Sequence, residues 1–410
     1  MARRSGGGQN PERCPTTYPR DILAAPPAAE RGGSRLVTLD ATRAAALIGV
    51  LAINMLTIAG LTYLTPEMRA VIHGPADRVV AYVVAVLIEG KALAAFSLMF
   101  GISFSLLIGR MKARREPWVA IYLRRIAILG GLGLLNAAFF FWGDILTTYA
   151  VLGLFLPVAA LLPIPAILGL AAALLVVPPV AFALLGAVPP PPLSDDQLPS
   201  LRAFADPRPA VTIAHNWALF TGAVGEGQGL RAIRYAELGA LFLIGLAAGL
   251  RHLPSRLAEC RHWLVPLGWA LVAIGLVMEA VRASGVVVVP GGLLLKNGDA
   301  LVGMGYVALV AMWLDGPRGG WARAWLAPLG AMALTGYLMG GLLGQVVFYG
   351  WGLGQIGRHG TLTVMLIAVA IFAVLLVFAR LWLRYFRQGP WEWLWRCLTR
   401  LERQPLRRAR

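Results

Sequence analysis

Along this chain, apolar stretches long enough to cross a bilayer alternate with short connections rich in arginine. The stretches fall near 41–64, 79–109, 120–142, 145–162, 164–187, 235–250, 263–282, 293–314, 326–348 and 361–384. One helical crossing needs about 20 apolar residues, so the pattern predicts an all-α fold, a polytopic transmembrane helix bundle of about ten spans. The second stretch exceeds one crossing and is interrupted by Glu89-Gly90-Lys91. It predicts a short interfacial or re-entrant helix feeding a crossing from about Leu93 to Ile108. Ser97, Gly101 and Ser103 crowd into that crossing, and small residues let helices approach closely in lipid.

Polar segments frame these spans. Residues 1–35 are rich in Gly, Pro and Arg, lack the apolar core of a cleavable signal peptide, and are expected to form a disordered cytoplasmic tail. The membrane domain is expected over 36–386, with one long extracytoplasmic connection at 188–234 that opens with Pro189-Pro190-Pro191-Pro192. A connection of that length is more often a lid or binding element than a tether. Within it, His215-Asn216-Trp217 fits a surface helix anchored by Trp217. Residues 387–410 set Trp391, Trp393 and Trp395 among arginines, as expected of a basic amphipathic cytoplasmic tail against an anionic leaflet.

Composition removes the soluble alternatives. With 58% hydrophobic residues, 14% charged residues and a mean hydropathy of +0.69, the apolar surface exceeds what one soluble core buries. A formal charge of +17 would point to nucleic acid in a soluble protein, but these arginines sit in blocks between apolar runs and report topology instead. Both ends are expected inside, which gathers Arg110, Lys112, Arg114, Arg115, Arg124 and Arg125 in one cytoplasmic connection and Arg251, Arg256 and Arg261 in another. Membrane lipids are expected partners, nucleic acid is not, and a homodimer is compatible with the pattern. Cys14, Cys260 and Cys397 fall on the reducing side, and neither a CxxC nor a His-x-x-x-His spacing occurs. Neither a disulfide framework nor a metal site is expected.

Polar residues at membrane depth are costly and therefore informative. Asp40 and Arg43, three apart at a helix start, fit either a cap with its neighbour or the inner mouth of a path. Asn54 follows Arg43 by eleven residues, about 16 Å along a helix, and so approaches the outer side. The short loop beyond it carries His73. A histidine can act as a general base near neutral pH and an asparagine can orient it or hold an oxyanion, although a lone loop histidine is usually just solvated. Asp144, in the turn Trp142-Gly143-Asp144, fits a helix cap or the lining of the same path.

Several segments resemble the YeiB-like family of bacterial multi-pass membrane proteins, a domain-of-unknown-function family. They are Arg35 to Asn54, Phe96 to Leu106, Tyr122 to Leu154 and above all Gly330 to Arg408. The most specific are Ala331-Met332-Ala333-Leu334-Thr335-Gly336-Tyr337-Leu338, Phe348-Tyr349-Gly350-Trp351-Gly352-Leu353-Gly354 and Gly389-Pro390-Trp391-Glu392-Trp393-Leu394-Trp395-Arg396. The opening Leu39-Asp40-Ala41-Thr42-Arg43 is also similar to transmembrane acyltransferases of the heparan-glucosamine N-acetyltransferase type. There an asparagine of the first helix and a histidine of the following outer loop are implicated in acyl transfer. Asn54 matches the first by position and His73 the second approximately, because the loop here is longer.

The resemblance implies an enzyme of the bacterial cytoplasmic (inner) membrane that takes an acyl group from a cytosolic acyl-CoA. The acceptor would be an extracytoplasmic glycan or lipid. Asp40, Arg43, Arg124 and Arg125 would serve the donor; His73, Asn54 and Asp144 would serve the chemistry. The chain departs from the family pattern at Ala44, where glycine is usual, and at Asn136, where a histidine is common. A transporter or lipid flippase is the competing expectation, although no internal repeat supports it. A scaffold for an envelope assembly has no specific mark.

Overall fold

The computed structural model describes residues 30–185, 198–222, 228–284 and 294–408. Every regular element among them is a helix, and the one β-type contact is an isolated bridge between Phe386 and Arg407. Among the described residues, eight helices are long and apolar enough to cross a membrane, or up to nine if one bent pair counts as a span. The polytopic all-α bundle expected from the sequence is the fold. Cys14 and most of the expected tail lie outside the described residues, but α1 (Glu30–Ile58) already begins within the segment expected to be disordered.

The bundle has two ends. At one, which we call the cap end, α1 gives way to α2 (Pro66–Ile72) and α3 (Pro75–Leu87), and Ala59 O accepts from Gly357 N at 2.8 Å. Asp77 of α3 accepts from Leu362 N at 2.8 Å, near the start of α16 (Thr361–Tyr385). At the other, the tail end, the start of α1 meets the end of α13 (Gly298–Asp315) through Thr38 Oγ1 donating to Asp315 at 3.4 Å. There α17 (Pro390–Arg400) also covers the start of α5 (Trp118–Phe139), Trp395 Nε1 donating to Arg125 O at 2.8 Å. Both the first and the last described helix thus have an end on this face.

The interruption at Glu89-Gly90-Lys91 falls between α3 and α4 (Lys91–Ala113). Gly90 takes φ +76°, where a side chain is strained, and a Cβ there would also overlap the Asp299 carboxylate. The two helices bend by no more than 40° at this break and together count 39 residues, about 58 Å if straight. That is far beyond a core of about 30 Å, whereas the 23 residues of α4 suffice for one crossing.

Two expected spans differ. The stretch 145–162 divides into α6 (Leu146–Gly153) and α7 (Leu156–Ala159), of eight and four residues, each too short to cross. Pro157 opens α7 and supplies no backbone N–H. The stretch 326–348 is the bent pair, α14 (Gly320–Ala331) and α15 (Ala333–Phe348), turning by 82° at Met332. Hydropathy registers apolar length and is blind to such turns. The remaining long helices, α8 (Ile164–Leu184), α11 (Gln228–Leu250) and α12 (Leu257–Ala283), complete the bundle. Val176, Val177, Trp269 and Val277 on α8 and α12 are exposed, as lipid-facing surface would be.

Lipid gives helices little hydrophobic reason to associate, so close packing must hold them. Leu47, Leu51 and Met55 of α1 pack over Gly336, Gly340 and Gly344 of α15; a Cβ on Gly340 would stand 2.7 Å from Leu51 and one on Gly344 2.5 Å from Met55. The small residues expected to permit close contact in α4 do so: Gly101 lies against the Phe242 backbone of α11.

A backbone neighbour cannot step aside as a flexible side chain can. Gly101→Ala is therefore expected to lower stability by roughly 1–3 kcal/mol. Gly341→Ala, where a Cβ meets nothing within 4 Å, is expected to be neutral or slightly stabilising. Thermal unfolding of the two purified variants checks the contrast.

Candidate functional site

At the tail end, the first turns of α1 carry a clamp. Arg43 Nη1 donates to Asp40 Oδ1 at 2.6 Å and to Gly330 O at 3.2 Å, while Nη2 donates to Ser103 Oγ at 2.8 Å. Gly330 must be glycine, since a Cβ would overlap the Asp40 backbone carbonyl. Further guanidiniums gather around this clamp. Arg110 and Arg396 lie within electrostatic reach of Asp40, and Arg125 within reach of Arg43 and Arg396. Arg125 stacks on Trp395, 3.5 Å from the ring centre, and is thereby fixed. Arg124 donates only to Ala120 O of its own helix, at 3.4 Å.

Two carboxylates, Asp40 and Glu392, stand within reach of these four cations. Glu392 is buried and already committed: Oε1 accepts from Thr335 N at 3.0 Å and Oε2 from Thr335 Oγ1 at 2.5 Å. Burial pushes its carboxyl above the usual 4.5, and the Thr335 hydrogen bonds pull it partly back. Arg110 and Arg396 are exposed, and their side chains make no hydrogen bond or ion pair among the described residues.

At the cap end, Asn54 is half-buried one turn before the end of α1, and its carboxamide makes no hydrogen bond among the described residues. His73 closes α2, and its Nε2 lies 3.3 Å from Thr361 Oγ1. Burial holds the imidazole below the usual 6.5, against the opposing effect of nearby Asp77. It is therefore neutral at pH 7 and able to accept a proton. No hydrogen bond joins His73 to Asn54.

Over this end sit α9 (Leu198–Ala205) and α10 (Pro209–Phe220) of the connection expected at 188–234, whose last seven residues instead begin α11; 186–197 and 223–227 lie outside the described residues. Phe204 stacks on Tyr349 with ring centres 4.7 Å apart, and His215 Nε2 lies 2.9 Å from Ser200 Oγ. Trp217 is exposed, as an anchoring residue would be.

Asp144 sits deeper. Its Oδ2 accepts from Thr147 N at 2.6 Å and Oγ1 at 2.7 Å, capping α6, while Oδ1 accepts from Asn136 Nδ2 at 2.8 Å. The carboxylate is buried with both oxygens engaged, and the structure joins it to Asn136, not to Asn54 or His73. A shallow groove on α12 lined by Ala258, Arg261, His262, Val265 and Pro266 borders none of these residues.

Comparison with known proteins places this arrangement. Residues 243–402 match a family described as a protein of unknown function, DUF418. The uncharacterized protein YeiB of Escherichia coli (strain K12) is 30% identical over 393 residues, covering 89% of this chain and 96% of that protein. This chain belongs to the YeiB family. The uncharacterized protein YxaH of Bacillus subtilis (strain 168) is 27% identical over 406 residues, covering 91% of this chain and 96% of that one.

Within this YeiB-family chain, motifs far apart in sequence converge. The Thr335 segment and the Glu392 segment are joined by the Thr335–Glu392 hydrogen bonds, and Trp391 N donates to Thr335 Oγ1 at 3.3 Å. The Trp142-Gly143-Asp144 turn meets the Thr335 segment where Ile145 N donates to Tyr337 OH at 3.4 Å, and Trp142 Nε1 donates to Tyr63 OH at 2.8 Å. Sequence reading named Asp40 and Arg43 but missed that Arg110, Arg396 and Ser103 join them. No local spacing joins them to Asp40 and Arg43, because Ser103 and Arg110 arrive from α4 and Arg396 from α17.

The raised Glu392 carboxyl has a stability consequence. The folded state holds its proton to higher pH than the unfolded chain, so stability contributed at low pH is lost as pH rises above about 4.5. Glu392→Gln keeps an acceptor for Thr335 N without the charge. It is expected to unfold at a higher temperature than wild type at pH 8 and at a similar one at pH 4, read by thermal melts across pH.

Proposed function

We propose that this protein is an acyltransferase of the bacterial cytoplasmic membrane. It takes an acyl group from a cytosolic acyl-CoA at the tail end and delivers it to a hydroxyl or amine of a glycan or lipid at the cap end. The observation that carries the reading is the excess of arginine over carboxylate around the Asp40–Arg43 clamp. Like charges repel in a low-dielectric setting, so such a cluster favours an anionic ligand, and the phosphates of a nucleotide thioester satisfy it. Arg43 and Arg125 are held by the fold and shape the site, whereas Arg110 and Arg396 are free to meet phosphate.

The eleven residues from Arg43 to Asn54 carry α1 about 16 Å from this cluster toward the cap end. There His73 accepts the acceptor's proton as its oxygen or nitrogen bonds the acyl carbon. The C–S bond then breaks and the CoA thiolate leaves, taking up a proton at the tail end. Asn54, whose carboxamide makes no hydrogen bond among the described residues, donates to the carbonyl oxygen as charge develops. The reading requires the bound acceptor to bridge Asn54 and His73. Asp144, engaged with α6 and Asn136, supports the cap end rather than touching substrate.

A transporter or lipid flippase is the second reading, favoured by charges inside the bundle. Lys91 is 2% exposed and pairs with Asp299 at 2.5 Å and Glu279 at 3.8 Å. Intramembrane charge of this kind marks transport pathways as well as structural anchors.

Binding of CoA to the purified protein tests the donor site. Wild type is expected to bind, and Arg110→Gln with Arg396→Gln to bind at least about tenfold more weakly, the loss of two charge-assisted contacts. Absence of CoA binding by folded wild-type protein removes the acyl-transfer reading.

A separate measurement follows acyl transfer from labelled acetyl-CoA to envelope glycans and lipids. The rate is expected to hold from pH 7 to 8 and to decline below 6.5, as His73 takes up a proton. Asn54→Ala is expected to slow transfer without changing CoA binding.

A further inference from the structure

A second group of arginines at the tail end lies on α16, apart from the clamp. The run Thr361–Ala379 carries no charge and spans about 28 Å, close to the hydrocarbon thickness of a bilayer. Arg380 is the first charge after it, and Arg384 follows one turn later on the same face. Both therefore fall where the phosphodiesters of a leaflet begin. Neither has a carboxylate within ion-pair distance among the described residues. Like charges four apart on a helix destabilise it unless an anion stands between them.

Neighbouring residues give this pair a built setting. The Arg380 guanidinium lies over Trp325 of α14, 4.3 Å from the ring centre, and its Nη1 is buried without a hydrogen-bond partner. Arg384 is exposed. On α14, Trp321 lies one turn from Trp325 and is 76% exposed, an indole facing out at the depth where tryptophans meet headgroups. A guanidinium held by an indole, with a second guanidinium one turn away and no carboxylate partner among the described residues, is a receptor for a phosphate oxygen pair.

We infer that Arg380 and Arg384, with Trp325 and Trp321, bind the phosphodiester headgroup of an anionic phospholipid in the leaflet at the tail end. The α14–α16 face supplies the indoles against which the glycerol and upper acyl chain lie. The bend between α14 and α15 lays α14 across the bundle's end, which brings its tryptophans to Arg380. This site is independent of the acyl-CoA reading.

The test uses the full chain in detergent, read by native mass spectrometry with added dioleoyl phosphatidylglycerol or phosphatidylcholine. Wild type is expected to retain phosphatidylglycerol in preference to phosphatidylcholine. Arg384→Gln, a change at an exposed position, is expected to weaken that retention about fivefold, and addition of Arg380→Gln to abolish the preference. Arg403→Gln, on the exposed tail, is expected to leave it intact. Equal retention of the two lipids by wild type overturns the site, as does an undiminished preference in Arg384→Gln, or an equal loss in Arg403→Gln. Inorganic phosphate provides the remaining arm. If it raises the melting temperature of wild type but not of the double variant, the site takes free phosphate and the lipid assignment fails.

Discussion

The tail end is organised by one contact, the seating of the first turns of α1 against the bend between α14 and α15. In lipid, helix association rests on packing and polar contacts rather than on expulsion of water. At Gly330 the two backbones touch, and Arg43 spans the contact by bonding the Gly330 carbonyl, Asp40 and Ser103 together. Three helices are thereby fixed by one guanidinium. An unpaired charge this far into a bundle is costly, so Asp40 is as necessary as Arg43, and truncating either leaves the other uncompensated. From that anchor the α1–α15 seam rises toward the cap end, with Leu47, Leu51 and Met55 over successive glycines.

How much of this was legible depends on how local each cause is. Long apolar runs announce helices because every buried backbone group in lipid must be bonded within its own segment. The break at Glu89-Gly90-Lys91 was legible for the same reason, since charge and glycine interrupt the run. The bend at Met332 was not, because its cause is tertiary: Gly330 against the α1 backbone, with Pro328 weakening the preceding turn. Likewise Asp40 and Arg43 declare themselves by an i, i+3 spacing, whereas the Thr335–Glu392 bond joins residues 57 apart. Family resemblance flagged both of those segments without saying that they touch.

Burial alone does not separate a structural charge from a functional one; charge balance does. Around Lys91, the acids Glu89, Glu237, Glu279 and Asp299 meet the bases Lys91, Arg234, Arg282 and Lys296 within electrostatic reach, an even match. Such a set balances its own charge. It ties α4, α12 and α13 where Gly90 breaks the helix line, with Glu237 of α11 within electrostatic reach. The arginines beside Asp40 and those on α16 are different, because both groups exceed the carboxylates near them.

Their setting then decides what each group suits. Beside Asp40, two guanidiniums are locked by Asp40 and by Trp395 while Arg110 and Arg396 stay open, an arrangement that shapes a site and leaves it accessible from the aqueous side. On α16, Arg384 is exposed and Arg380 lies over Trp325, one turn along α14 from exposed Trp321. A soluble polyphosphate and a lipid phosphodiester carry the same chemical group. What distinguishes their receptors is the neighbour that each cation keeps: polar residues on several helices in the first, indoles on one helix in the second. The tail end therefore holds two arginine groups in different settings, one around the Asp40–Arg43 clamp and one on α16 against the indoles of α14.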